Sequence, residues 1–123
     1  MLKRLALAAA IVFSFAACSE PTLPSDEPIR ARAAGSATLA ITNRTDEPVY
    51  FHAMDPSKLA IFYACTPVQC PRIEPGETVR VPYAQISLYE AGTTQALVDW
   101  YTFEEPGDGS YRQKAYGSVL ADL

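Results

Sequence analysis

The sequence predicts an all-β fold: a small antiparallel β-sandwich of seven to eight strands over residues 37–123. Short stretches in which apolar and polar residues alternate recur along this part of the chain, as expected for strands with one buried face. Turn residues separate these stretches about every 8–12 residues, which is typical of sandwiches and barrels. The same part of the sequence contains no amphipathic helix of useful length.

The first two predicted strands are separated by a polar turn. Residues 38–42 alternate, so Leu39 and Ile41 share one face. Residues 43–47 are polar and predict the turn, and residues 48–54 predict the second strand. Its two faces differ in character, with Val49, Phe51 and Ala53 on one and Tyr50, His52 and Met54 on the other.

A helical turn and a third strand are predicted next. Asp55 and Pro56 suit the start of a single helical turn that ends at residue 59, because proline fits the first position of a helix. Residues 60–65 then predict a strand.

Two β-rich stretches follow a tight turn. Pro75 and Gly76 occupy the central positions of a type II turn, in which glycine takes the residue with positive φ. Residues 78–83 and 84–90 are both β-rich. Pro82 predicts an edge or a bulge between them, because proline cannot donate a hydrogen bond to a sheet.

The C-terminal third contains the strongest predicted strand, residues 95–103, after a turn at residues 91–94. An acidic, glycine-rich turn is predicted at residues 104–110, and residues 111–116 and 118–123 close the chain. The predicted core takes apolar residues from these stretches, together with some tyrosines: Leu39, Ile41, Val49, Phe51, Ile61, Val79, Val81, Ile86, Leu88, Leu97, Trp100 and Val119.

One short segment resembles a known fold family. The turn Ile73-Glu74-Pro75-Gly76-Glu77, followed by the Thr-Val-Arg-Val-Pro strand, resembles the middle of immunoglobulin-like sandwich domains. The resemblance implies an immunoglobulin-like arrangement of strands. It implies no function, because this fold carries many different functions.

Residues 1–17 have the three regions of a secretory signal peptide. Lys3 and Arg4 make the start basic, residues 5–15 are apolar apart from one serine, and Ala16 and Ala17 are small. Residues 5–17 would give about 20 Å of helix, whereas the membrane core is ~30 Å thick and usually needs about 20 residues. A cleaved signal peptide is therefore favoured over a permanent span.

The end of this segment resembles the lipobox of bacterial lipoproteins. Phe15-Ala16-Ala17-Cys18 has an apolar residue and two small residues before a cysteine. The resemblance implies cleavage before Cys18, a thioether-linked diacylglycerol and an N-linked acyl chain such as palmitate, which together anchor a protein stably. Ser19 implies delivery to the outer membrane of a bacterium with two membranes. The alternative is an ordinary secretory signal that leaves Cys18 as a free thiol.

Residues 18–36 predict a lipidated cysteine followed by a flexible linker, because they contain three prolines, few large apolar residues and no alternation. Removal of Lys3 and Arg4 with the signal peptide leaves 8 basic and 14 acidic residues, a net charge of −6. No basic stripe exists to attract phosphates, which disfavours nucleic acid as a partner. The partners expected are the lipid bilayer, through Cys18, and an envelope protein or glycan.

Three cysteines in an exported chain need an explanation. Lipidation of Cys18 leaves Cys65 and Cys70, which have four residues between them, as a candidate disulfide in a compartment where disulfides persist. A reduced pair and a metal site are the alternatives. A zinc site normally needs four ligands, and the chain has a single histidine.

Two metal sites can be considered from the remaining residues. His52 and Met54 share a strand face and, with reduced Cys65 and Cys70, would suit Cu(I). The loop residues Glu104, Glu105, Asp108 and Ser110 supply oxygens of the kind that calcium binds, although Asp108-Gly109 is also a plain hairpin signal. No pattern places a serine nucleophile near His52, so we expect no catalytic residue, no cofactor and no metal.

Seven tyrosines in one small domain are the remaining candidate for recognition. A surface cluster would favour binding of protein or sugar, whereas tyrosines are also common in ordinary strands. The function predicted from these observations is that of a membrane-anchored, non-catalytic binding or structural module of the bacterial envelope. The alternative is a small periplasmic metal-binding protein, for copper or calcium, or an enzyme.

Overall fold

The computed structural model describes residues 27–58 and 65–123, and within these ranges it is an all-β sandwich. It contains seven strands and a 3₁₀ turn at Tyr83–Gln85; the strands are β1 (Ile29–Ala33), β2 (Thr38–Asn43), β3 (Val49–Met54), β4 (Arg72–Ile73), β5 (Thr78–Pro82), β6 (Gln95–Glu104) and β7 (Arg112–Asp122). All strand pairs are antiparallel. The predicted fold class is confirmed.

The strands form two sheets, ordered β1-β2-β5 and β4-β3-β6-β7. Immunoglobulin-like sandwiches have strands A, B, E and D in one sheet and C, F and G in the other, and the variable type adds C′ to the second sheet. The order found here corresponds to A-B-E and C′-C-F-G, and strand D has no counterpart among the described residues. The resemblance of residues 73–82 to such domains is therefore consistent with the topology.

The core lies between the sheets and is built by strand alternation. Leu39 and Ile41 of β2 are fully buried, and they face Val49 of β3 and Val98 of β6 across the core cluster. Burying one such aliphatic side chain contributes roughly 1.5–3 kcal/mol. Trp100 and Val119 are partly buried and pack against the same cluster, as predicted.

Asn43, at the end of β2, is a fully buried polar residue that links the two sheets. Its Nδ2 donates to the carbonyl oxygens of Glu47, at 2.7 Å, and Ile73, at 3.0 Å. Its Oδ1 accepts hydrogen bonds from both the backbone N–H and the hydroxyl of Thr45. These contacts satisfy the amide completely and hold the loop before β3 and strand β4 against the end of β2.

Trp100 packs against Gly117, its cross-strand partner on β7. A Cβ atom at residue 117 would lie 2.6 Å from the indole Cζ2 and 2.9 Å from Nε1, which is closer than real contacts allow. Glycine at this position lets the ring lie flat over the strand, as in other sheets where an aromatic residue covers a glycine.

The predicted linker extends too far toward the C-terminus. Residues 29–33 form β1 and pair with β2 through the register Ile29↔Asn43 to Ala33↔Leu39. Ile29 is only 1% exposed and belongs to the core. The strand was not predicted because Pro28 precedes it and two of its five residues are arginines. Only one of its large side chains, Ile29, is buried, so the sequence shows no apolar alternation.

The stretch at residues 84–90 was predicted as β-rich, and this is wrong. The chain turns at Tyr83–Gln85 and crosses to the other sheet, where Ser87 makes an isolated bridge with Met54. Leu88, predicted to be in the core, has φ +65° and is 50% exposed. Pro82 ends the ladder of β5, and the crossing leaves no neighbour for a continuing strand.

Three further expectations differ in detail. Leu97, another predicted core residue, lies on the outer face in register with Met54. The two stretches predicted at residues 111–116 and 118–123 are joined in the single strand β7, Arg112–Asp122, with a bulge opposite Thr102/Phe103. After Asp55 the described residues form a turn rather than a helical turn.

Residues 1–26 and 59–64, including Cys18, Ile61, Tyr63 and most of the predicted strand 60–65, lie outside the described residues.

Replacing Asn43 with alanine should destabilise the full chain by about 2–3 kcal/mol, because it removes both hydrogen bonds that the buried amide donates and leaves a cavity in its place. Thr45→Ala keeps both donors of Asn43 and should cost about 1 kcal/mol. Urea denaturation with unchanged m-values measures both effects. A stability of Asn43→Ala equal to that of Thr45→Ala would contradict the bridging role.

Gly117→Val should destabilise the chain by about 1–3 kcal/mol, because the new side chain collides with the indole of Trp100. The cost should shrink when Trp100 is first replaced with leucine, which removes the collision. A double-mutant cycle of unfolding free energies measures this coupling. Additive effects of the two substitutions would show that the close contact is not the cause.

Candidate functional site

The outer face of the four-stranded sheet carries a line of aromatic side chains that crosses three strands. Tyr50 of β3 pairs with Tyr101 of β6, and Tyr101 pairs with Tyr116 of β7. The register places Arg72 of β4 at the start of the line, opposite Tyr50. Because side chains alternate along a strand and Phe51 faces the core, these tyrosines face outward. We call Tyr50, Tyr101, Tyr116 and the adjoining Phe103 the aromatic row.

The rings of the aromatic row contact one another in sequence. Tyr101 and Tyr116 are stacked, with centroids 6.1 Å apart and planes 22° apart. Tyr101 and Phe103 are stacked at 6.4 Å and 19°. Phe103 and Tyr50 meet edge to face at 5.5 Å and 72°. Such pairs are worth about 0.5–1.5 kcal/mol each, so the row has a defined shape.

Exposure changes along the row. Tyr50 is 8% exposed, whereas Tyr116, on the edge strand, is 66% exposed. Burial, followed by the charge of Asp99 and the presence of Tyr116, raises the pKa of the Tyr101 phenol above its usual value. The row is therefore anchored at its inner end and accessible at its outer end.

Two ion pairs flank the row at the end where the loops lie. The Arg72 guanidinium contacts the Glu74 carboxylate through Nε at 2.6 Å and Nη2 at 3.3 Å. Its Nη1 donates to the Tyr50 hydroxyl at 3.3 Å, and its Cζ lies 6.0 Å from the Tyr50 ring centroid. The hydrogen bond with Glu74, and then that with Tyr50, raise the pKa of Arg72.

Lys114 forms the second ion pair, with its Nζ 2.9 Å from Oε2 of Glu47. This hydrogen bond raises the pKa of the lysine. Lys114 is the extra residue of the β7 bulge, since Ala115 opposes Thr102 and Gln113 opposes Phe103. Bulges commonly redirect a side chain in this way.

A pocket of about 340 Å³ lies at the inner end of the row. It combines aromatic walls with acidic and basic groups, and its lining includes Glu47, Pro48, Tyr50, Arg72, Phe103 and Glu105. Its volume lies at the low end of the range found for small-ligand sites, and its lining is more polar than is usual for such sites. Asn43 positions one wall, because it holds the Glu47 carbonyl in place.

A polar row lies beside the aromatic row on the same face. His52 of β3 pairs with Asp99 of β6, and Asp99 pairs with Ser118 of β7. The Ser118 hydroxyl donates to Oδ1 of Asp99 at 2.6 Å, and Nε2 of His52 lies 2.8 Å from the Ser87 hydroxyl. The sequence indicated no serine near His52. The contact arises only because the chain crosses between the sheets before Ser87.

A third, apolar row completes the outer face. Met54, Leu97 and Leu120 occupy matching positions on β3, β6 and β7, and Leu120 is 51% exposed. His52 and Met54 therefore share a face, as predicted, but they belong to adjacent rows.

The sulfur atoms of Cys65 and Cys70 lie at bonding distance, with Cα atoms 5.4 Å apart, which fits the predicted disulfide. Paired in this way, the two cysteines offer no thiolate to the Cu(I) site considered with His52 and Met54. Among residues 27–58 and 65–123, no three His, Cys, Asp or Glu side chains are grouped so as to hold a metal ion.

The residues considered for calcium are exposed, Glu104 at the end of β6 and the other three in the loop before β7. Oδ1 of Asp108 accepts hydrogen bonds from the backbone N–H and hydroxyl of Ser110, and these bonds lower the pKa of the carboxyl. Asp108 thus closes a local turn. Glu104 opposes Arg112 on β7, while Glu105 lines the pocket.

In comparisons with protein-family models, curated proteins and solved structures, nothing matches this chain. Within the described ranges, no helix has the length and apolar character needed to cross a membrane.

The raised pKa of Tyr101 predicts a stability change at alkaline pH. The folded state holds the Tyr101 proton more tightly than the unfolded chain does, and this difference stabilises the folded state. The whole of this stabilisation is present below the unfolded pKa of about 10. This stability is lost as the pH rises from there through the folded pKa. Unfolding free energies measured across this range should fall more steeply for the parent chain than for Tyr101→Phe. Equal slopes would show that Tyr101 is no more protected than a free tyrosine.

Proposed function

We propose that this chain is a lipid-anchored lipoprotein of the bacterial cell envelope whose β-sandwich is a non-catalytic binding module. The basic, apolar and small-residue regions of residues 1–17 support export. The lipobox-like residues before Cys18 support acylation of that cysteine, and Ser19 supports delivery to the outer membrane. The sandwich would then act in the periplasm or at the cell surface.

The observation that carries the binding role is the aromatic row. Tyrosine and phenylalanine are enriched at recognition surfaces because they offer large contact areas. The row is pre-arranged, since its rings already contact one another and the ion pairs hold its flanks. A pre-arranged surface loses little side-chain entropy on binding, which increases affinity.

The row lies near the end of the sandwich from which the chain leads back to Cys18. Ile29, the first residue of β1, pairs with Asn43, whose side chain contacts Glu47 and Ile73. Ten residues separate Cys18 from Ile29, and they reach at most ~35 Å. The proposed anchor would thus hold the row close to the bilayer, which favours a partner at the membrane surface.

Cys18→Ser should abolish acylation and release the domain to the soluble fraction after export. Intact-mass measurement of membrane-extracted protein should show a mature chain that begins at Cys18 and carries acyl chains. The variant retains Cys65 and Cys70, so the disulfide of the sandwich domain is unaffected. An unmodified N-terminus on the membrane-extracted parent would contradict the proposed anchor.

The binding role can be tested with a photo-crosslinking amino acid in place of Gln113, which is exposed and in register with Phe103. The control position is Arg32, exposed on β1 in the other sheet. Irradiation of intact cells should give adducts at residue 113 that disappear with Tyr101→Ala. No adducts at residue 113, or equal adducts at both positions, would count against a binding module on this face.

A further inference from the structure

We infer that the ligand of the aromatic row is a neutral glycan, a chain of uncharged sugar units that lies along the rings. This inference rests on the proposed binding function and names the ligand class of the same surface. Three properties of the row support it: the pairing of its basic groups, its dimensions and the chemistry of its polar atoms.

Both basic groups that border the row are engaged by carboxylates, and Glu105 adds a further carboxylate at the pocket. Arg72 is paired with Glu74, and Lys114 is paired with Glu47. An anionic ligand would have to compete with these carboxylates, and a cationic ligand with the guanidinium and ammonium groups. An uncharged ligand leaves both ion pairs intact and can still exchange hydrogen bonds with their outer atoms.

The dimensions of the row suit a narrow, extended ligand. Three strand-to-strand steps separate Arg72 from Tyr116, a distance of about 14 Å at ~4.8 Å per step. Rows on the same face are about 7 Å apart along the strands. The resulting strip, about 14 Å long and 7 Å wide, suits a narrow extended ligand more closely than a broad partner surface.

The row also matches the two chemical faces of a sugar. The apolar C–H face of a sugar ring can pack on the exposed ring of Tyr116 and against the partly exposed Tyr101 and Phe103 beside it. Tyrosine hydroxyls both donate and accept hydrogen bonds, as sugar hydroxyls do. The pocket at the inner end adds carboxylate acceptors from Glu47 and Glu105 and guanidinium donors from Arg72. A terminal sugar unit placed there would find both kinds of partner.

The test is affinity electrophoresis of the full chain in a detergent that contains no sugar. Native gels contain a neutral polysaccharide, namely hydroxyethyl cellulose, dextran or soluble starch. Parallel gels contain anionic carboxymethyl cellulose or cationic chitosan. At least one neutral polysaccharide should retard the parent chain. The retardation should change little with added salt, because no net charge is neutralised on binding.

The variants Tyr101→Ala and Tyr116→Ala should each weaken binding about fivefold, the effect of losing one stacking contact. Tyr111→Ala is the matched control, because Tyr111 is 47% exposed and lies outside the row. Thermal unfolding of each variant, compared with that of the parent, shows that the fold is retained. Tyr116 is the cleaner site, because its exposed ring contributes little to the core.

Three results would overturn the inference: no retardation by any neutral polysaccharide, retardation by charged polysaccharides alone, or an equal loss in Tyr111→Ala. Protein adducts at residue 113 without retardation would reject the glycan and retain the binding module. If neither adducts at residue 113 nor retardation is observed, both the glycan ligand and the binding module are rejected. Retardation of Cys18→Ser equal to that of the parent would support the ligand class even if the anchor were shown to be absent.

Discussion

The buried amide of Asn43 is the contact on which the arrangement of this domain depends. It belongs to the three-stranded sheet, yet it donates to the Ile73 carbonyl in the four-stranded sheet and to the Glu47 carbonyl in the loop before β3. A buried amide is costly unless all its partners are present, so it permits few alternative placements of these segments. Thr45 completes the network, which makes the Asn-Arg-Thr sequence a turn motif with a buried asparagine.

The outer face follows from this placement of β3. Strand register determines which face each side chain occupies, and a slip of one residue would exchange Tyr50 with the buried Phe51. With β3 held between β4 and β6, the tyrosines of three strands come into line. The flanking ion pairs are partly exposed and contribute little to stability. Their importance lies in engaging both basic groups that border the aromatic row.

Local pattern explains why parts of the fold were predictable. Strands β2, β3 and β6 alternate clearly over five or more residues, and they were predicted within one residue at each end. Strand β1 has a single fully buried side chain, Ile29, and no such pattern. Residues 84–90 have β-forming composition, but their position between the sheets leaves them without strand neighbours.

The sequence by itself determined the all-β class, the positions of most turns and the fact that Tyr50, His52 and Met54 share a face. These properties depend on neighbours in the chain, through the two-residue repeat of a strand and the backbone preferences of proline and glycine. Only the tertiary structure decided which tyrosines meet, why Ser87 reaches His52 and why Asn43 is buried. Each of these contacts joins segments distant in sequence, whose partners are selected by strand pairing and sheet packing rather than by local preference.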